Sequence, residues 1–165
     1  MRIIDPLLVE LEQEGATTRR VLERVPNDKL DWKPHGTSRS LGALAAHIGT
    51  ALKAVSDAVQ EKTHEARPTE RPVPPDTLQI LAQYDENLAS AKAKLAKMSD
   101  ADLMSPWSLT VGGAPKFTAP KIGIVRSIIM NHMIHHRGQL TVYLRQLGVP
   151  VPSVYGPSGD ENPFM

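Results

Sequence analysis

Apolar side chains recur at three- and four-residue intervals in four stretches of the chain, with charged residues filling the positions between them. In the first stretch, Ile4, Leu7, Leu8, Leu11, Thr18, Val21, Leu22 and Val25 share a helical period. Gly15 interrupts it at a modest cost in propensity, and Pro26 with Asn27 ends it. The second begins near Leu41 and carries Leu44, Ile48, Leu52 and Val55 among many alanines, with Ser38 or Ser40 available as its N-cap. The third opens on Asp76 and Gln79, a capping-box spacing, and its stripe is Leu78, Leu81, Tyr84, Leu88, Ala91, Leu95 and Met98. The fourth has Thr118 and Pro120 as cap and first turn and runs to about Leu147, where Gly148 and Pro150 stop it.

The connections are read from turn chemistry. DWKPHGTSRS is a loop, and THEARPTERPVPP, with four prolines and alternating charges, cannot bury apolar surface and makes a crossover between Glu61 and Pro75. SPWSLTVGGAPKF, from Ser105 to Phe117, mixes turn formers with a few strand-prone residues, which leaves a short hairpin open there. The tail VPSVYGPSGDENPFM is too rich in Pro and Gly to be regular. Four amphipathic segments give an all-α fold, a four-helix bundle with a long crossover between helices two and three, as one domain over residues 1–165.

Composition narrows the function. A 41% hydrophobic and 22% charged chain folds rather than staying disordered. Nineteen Lys and Arg against eighteen Asp and Glu, with no block of like charge, supply no patch for a polyanion. Aromatic residues at 4% are too few for stacking platforms, so no nucleic-acid partner is expected. The absence of cysteine excludes disulfides, thiolate ligands and a protein thiol nucleophile, so any metal must be held by His, Asp or Glu. MRIIDPLLVELEQEG meets a charge or a proline every few positions, which reads as neither signal peptide nor membrane anchor and implies a cytoplasmic protein.

The histidines carry the candidate chemistry. NHMIHHRGQL holds three of the chain's six, so the fourth helix is the first place to look for a site. Val125, Ile129, His132, His136, Leu140, Tyr143 and Leu147 form one stripe, in which His132 and His136 stand where Leu or Ile is expected and His135 falls on the flank. Two imidazoles one turn apart can meet a single ion, although hydrogen-bonded core histidines produce the same spacing. His47 stands on the apolar face of the second helix among Ala43, Leu44, Ile48 and Ala51. Three buried imidazoles each need a partner, and one shared metal ion supplies all three. His35, between Pro34 and Gly36, and His64, in the crossover, read as solvated.

With these residues in view, SRSLGALAAHI and NHMIHHRGQLTVYLRQLGVPVPSVYGPSGDE give the chain a likeness that extends over nearly its whole length. It resembles the DinB/YfiT-like family of four-helix-bundle metalloproteins. The resemblance implies a divalent ion, Zn or Ni, on three histidines that fall on His47, His132 and His136, a homodimer, and a small-molecule substrate. Three imidazoles leave a coordination position for water or substrate.

Some relatives activate a low-molecular-weight thiol of the bacillithiol or mycothiol type for S-transfer or isomerisation, and a chain without cysteine takes such a thiol from outside. Members that isomerise maleylpyruvate carry a further C-terminal domain, which sets that activity lower here. Two other readings stay open. One is a metal-dependent hydrolase, although HMIHH lacks the glutamate of HExxH and leaves Asp57, His135 or Glu161 as the candidate bases. The other is a non-catalytic metal-binding stress-response protein. Arg137, Gly138 and Gln139 belong to the closing motif without a chemical role legible in them; a purely structural reading has Arg137 snorkelling and Gly138 permitting close packing.

Overall fold

The computed structural model describes residues 1–66 and 72–165. The part of the Pro-rich crossover between these ranges lies outside the described residues. Four long helical segments form the body: α1 (Ile4–Leu22), α2 (Leu41–Ala58), α3 (Thr77–Leu95) and a composite fourth helix. In the last, a short α5 (Lys121–Ile124) leads into a π-helical stretch (Val125–Asn131), which continues as α6 (His132–Gln146). Contacts run from α1 to α3, from α3 to α2, from α2 to α6 and from α6 back to α1. The helices therefore form a ring in which the consecutive α1 and α2 lie diagonally opposed, while α2 and α6 are neighbours.

The helix ends follow the chemistry of their residues. Ser40 caps α2, accepting from the Ala43 amide at 3.2 Å. Asp76 caps α3, accepting from the Gln79 amide at 2.8 Å and from the Gln79 side chain at 2.9 Å. At the close of α6, Gly148 has φ +71°. The amides of Gly148 and Val149 there donate back to the carbonyls of Arg145 and Leu144, a Schellman arrangement that satisfies two terminal acceptors.

An all-α description needs correction, because the chain also forms a three-stranded sheet. Its strands are β1 (Thr63–Glu65), β2 (Pro106–Val111) and β3 (Ala114–Pro120), in the order β1-β2-β3. A short helix, α4 (Asp100–Met104), directly precedes β2. The hairpin left open between Ser105 and Phe117 is real and extends to Pro120. Gly112 and Gly113, at φ +59° and +76°, make its two-residue turn, where β-carbons would strain both positions. Thr118 consequently does not cap a helix; it pairs with Ser108 across the sheet. The parallel strand β1 lies in the crossover itself, and Glu65 accepts from the Gly112 amide at 2.5 Å, joining crossover to turn. Trp107 fastens the sheet to the bundle: its indole is buried and donates to the Ala58 carbonyl at 2.9 Å.

The core is a continuous set of apolar side chains from all four long segments, and its burial supplies the main driving force for folding. Leu78, expected in the stripe of α3, is 76% exposed. Thr77 takes the inward position instead, with its hydroxyl donating to the Val25 carbonyl at 2.8 Å and its amide to Asn27 at 2.7 Å. This anchoring to the end of α1 fixes the first turn of α3 and turns Leu78 outward. At Gly49, α2 approaches α3 so closely that an added Cβ would lie 3.1 Å from the Tyr84 backbone. That approach sets the depth at which α2 sits.

Candidate metal centre

His47 lies midway along α2, and its neighbour helix α6 begins at His132 directly after the π-helical stretch. A π turn holds more residues than an α turn, so the face presented to the core slips around the helix. Beyond it, Met133, Arg137, Leu140 and Leu144 are the buried positions of α6. His132 and His136 are displaced to the border of that face and are half-buried. This corrects the expectation that they replace core leucines: they flank the core, and His132 lines an opening.

The three imidazoles converge. Each of His47, His132 and His136 offers one ring nitrogen such that all three nitrogens lie within 4.8 Å of one another. Ring centroids are 4.3 Å apart for His132 and His136, 4.7 Å for His47 and His136, and 5.3 Å for His47 and His132. The planes are close to mutually perpendicular, at 75°, 79° and 88°. Nitrogen edges therefore meet at one locus instead of stacking. The Nε2 atoms of His132 and His136 are 2.9 Å apart. A shared cation suits two lone pairs so placed, and zinc–imidazole distances of about 2.0–2.1 Å put one ion within reach of all three rings after small side-chain adjustment.

The electrostatics favour the ligating form. Burial holds both His132 and His136 below the ordinary imidazole pKa, and the Arg39 guanidinium pushes the same way, while the hydrogen bond to Gln139 opposes the shift at His136. Both rings are accordingly neutral at pH 7. The site opens into a cavity of about 250 Å³ lined by His47, His132, Arg39, Thr50 and the small side chains of α2, with Pro72 and Val73 beyond. No carboxylate lines it among the described residues.

The sequence matches the DinB family model over residues 4–162. The chain belongs to the DinB family. Its DinB relatives include the uncharacterized protein YrdA of Bacillus subtilis (strain 168), 26% identical over 159 residues, which cover 96% of this chain and 91% of YrdA. A second, YjoA of the same organism, is 27% identical over 132 residues, covering 79% and 82%. Among solved structures, a DinB-like protein from Bacillus cereus ATCC 10987 superposes with a TM-score of 0.75 at 28% identity, covering 92% of this chain and 97% of that one. The B. subtilis DinB-like protein YjoA shares the fold, with a TM-score of 0.68 at 19% identity over 88% and 96%.

Within this DinB bundle the remaining histidines stand apart from the triplet. His35 is exposed and bonded to Thr37 at 2.9 Å. His64 is exposed as expected, and it also stacks on Trp107 at 6.4 Å with 15° between the planes. His135 is exposed on the flank, its ring 4.9 Å from that of His136. The other candidate bases are engaged elsewhere: Asp57 pairs with Lys53 and Lys94, and Glu161 with Arg20.

Two residues without a legible role in the sequence acquire one. Gln139 Oε1 lies 2.7 Å from His136 Nδ1. An amide oxygen only accepts, so Nδ1 carries the proton and the Nε2 lone pair is left for the cluster. The i to i+3 spacing of His136 and Gln139 was the available signal. Arg137 does not snorkel; its side chain is 2% exposed and pairs with Glu14 of α1 at 2.7 Å. Its guanidinium also lies 4.9 Å from the centre of the Tyr155 ring in the tail. Nor does Gly138 serve close packing, since an added Cβ would meet nothing within 4 Å.

Proposed function

We propose that this protein is a metal-dependent enzyme that binds a divalent ion, zinc or nickel, on His47, His132 and His136 and uses it to activate an externally supplied low-molecular-weight thiol for transfer to a small-molecule acceptor. The observation that carries the reading is the convergence of three imidazole nitrogens at a cavity that no carboxylate lines among the described residues. When bound, a divalent ion on three neutral imidazoles retains a free coordination position and acidifies a thiol placed there.

The chain's own side chains do the rest. His136 is held in one tautomer by Gln139, and burial keeps His132 and His136 unprotonated. Arg39 is the cation among the described lining residues and offers an anionic group of the ligand a partner at the mouth. A hydrolytic reading has less support, because a base is wanted beside the reacting water and the lining has no Asp or Glu among the described residues. The homodimer implied by the family resemblance belongs to the same reading and is checked by light scattering of the purified chain. No helix of the described residues is long and apolar enough to cross a membrane.

The test is a panel of thiols and electrophiles assayed on protein loaded with Zn²⁺ or Ni²⁺, together with calorimetric metal titration. Thiol consumption that requires both the ion and the three histidines supports the reading. Tight metal binding that stabilises the fold with no turnover on any thiol overturns it in favour of a structural ion.

A further inference from the structure

A second cavity, of about 170 Å³, lies beside the histidine cavity, and the two share Ala54 and Val55 of α2 as a common wall. Its character is different. Trp107 and Leu109 of β2 and Ile124 of α5 line it with carbon, together with Ile128 of the π-helical stretch, Phe117 and His64. An apolar cavity of about 150 Å³ accommodates a benzene ring, so this one holds a ring-sized group.

Two features of the lining go beyond what packing requires. Phe117 is 50% exposed and Ile128 is 42% exposed, so both present apolar surface at the cavity instead of closing it. Ala54, which belongs to both linings, places only a methyl group between the two spaces. Ligand sites combine such an apolar chamber with a few convergent polar groups, and here the polar groups are His47, His132 and Arg39 in the neighbouring cavity, with His136 clustered beside the first two.

We propose that the Trp107 cavity is the subsite for an aromatic or similarly compact apolar group of the small molecule whose donor atom meets the three histidines. The inference rests on the histidine cluster being the metal and ligand site, and it adds the substrate class: a molecule with a metal-binding head and a ring-sized apolar arm. The arm crosses Ala54 and Val55 and is received between Trp107, Leu109 and Ile124, while the head stays with His47, His132 and His136.

The probes are 2-phenylethanethiol and 2-mercaptoethanol, titrated into the full chain loaded with Co²⁺ and followed by the sulfur-to-cobalt charge-transfer band. Benzyl alcohol, added to metal-free protein, is followed by the indole N–H resonance of Trp107. Removing a ring from water favours the phenyl compound by about tenfold or more. We expect that preference, a saturable shift of the Trp107 resonance, and loss of both in Ile128→Glu and Phe117→Ser with Co²⁺ affinity unchanged.

Equal affinity for the two thiols on a chain that binds Co²⁺ overturns the subsite and leaves the histidine site standing. So does an indole resonance that benzyl alcohol does not move. Failure of Co²⁺ to bind overturns the histidine reading, and with it the placement of the head group.

Discussion

Gln139 Oε1 lies 2.7 Å from Nδ1 of His136, on the ring edge opposite the Nε2 that faces His132. One exposed amide thereby fixes which nitrogen of a candidate ligand carries the proton. Such supporting partners are worth about 10- to 100-fold in metal affinity. Gln139→Leu should weaken Zn²⁺ binding within that range while leaving the melting temperature of the metal-free protein unchanged. Calorimetric titration beside a thermal melt checks both, and unaltered affinity would remove Gln139 from the site.

The three histidines act as a set, so their loss should be felt in stability as well as in binding. An ion present at about 100 times its dissociation constant stabilises the fold by about 2.7 kcal/mol. Wild-type protein should therefore melt several degrees higher with Zn²⁺ than with a chelator. His47→Ala, His132→Ala and His136→Ala should each abolish most of that difference. Retention of the full shift in any one of them would exclude that residue as a ligand.

The Arg137 and Glu14 pair ties α6 to α1 deep in the bundle, and Tyr155 donates to the same Glu14 carboxylate at 2.9 Å. Removing one member strands the other charge with little water. Arg137→Met should cost about 3–5 kcal/mol, or roughly 6–20 °C in melting temperature for a chain of this size. Adding Glu14→Gln should recover part of the loss, because the uncompensated charge disappears. A double variant no more stable than Arg137→Met would contradict the pairing.

The tail should detach in acid. Asp160 is held below its ordinary pKa of 3.8 by Arg145 and the Val151 amide, and Glu161 below 4.5 by Arg20 and the Ser153 amide. A carboxylate whose folded pKa is lowered contributes stability above its unfolded pKa, and that contribution disappears as pH falls through the folded value. Hydrogen exchange at the Val151 and Ser153 amides should thus be slow at pH 6 and accelerate, beyond the intrinsic trend, below about pH 4. Uniform protection down to pH 2.5 would show that these pairs do not hold the tail.

At Gly49 two effects compete. Alanine gains about 1 kcal/mol of helix propensity over glycine, while its Cβ presses on the Tyr84 backbone 3.1 Å away. Gly49→Ala should therefore be close to neutral. Gly49→Leu, which cannot fit without moving α2 from α3, should cost about 1–3 kcal/mol and weaken Zn²⁺ binding by shifting His47. A stable Gly49→Leu variant with unchanged metal affinity would show that this contact does not position the site.

Local rules carried much of this protein. Helix periods, the caps at Ser40 and Asp76 and the stop at Gly148 depend on neighbours in the chain, so they were legible in the sequence. The pattern of His47, His132 and His136 was legible too, because imidazoles among Leu, Ile and Ala stand out as groups that need partners. What periodicity alone misjudged was the phase of the last helix. A π-helical stretch changes the residues per turn, so Met133 and Arg137 took the core and the two histidines moved to its edge.

The hairpin of β2 and β3 was left open by its turn residues, but the third strand was hidden for a related reason. β1 gains its partner from β2, more than forty residues away, and three residues cannot advertise a pairing that only the folded bundle brings about. The ring order of the helices, which sets α2 beside α6, is likewise a property of packing. The kinds of chemistry available were thus present in the chain from the outset; that three histidines share one locus, with an apolar chamber beside them, was decided by how distant helices approach.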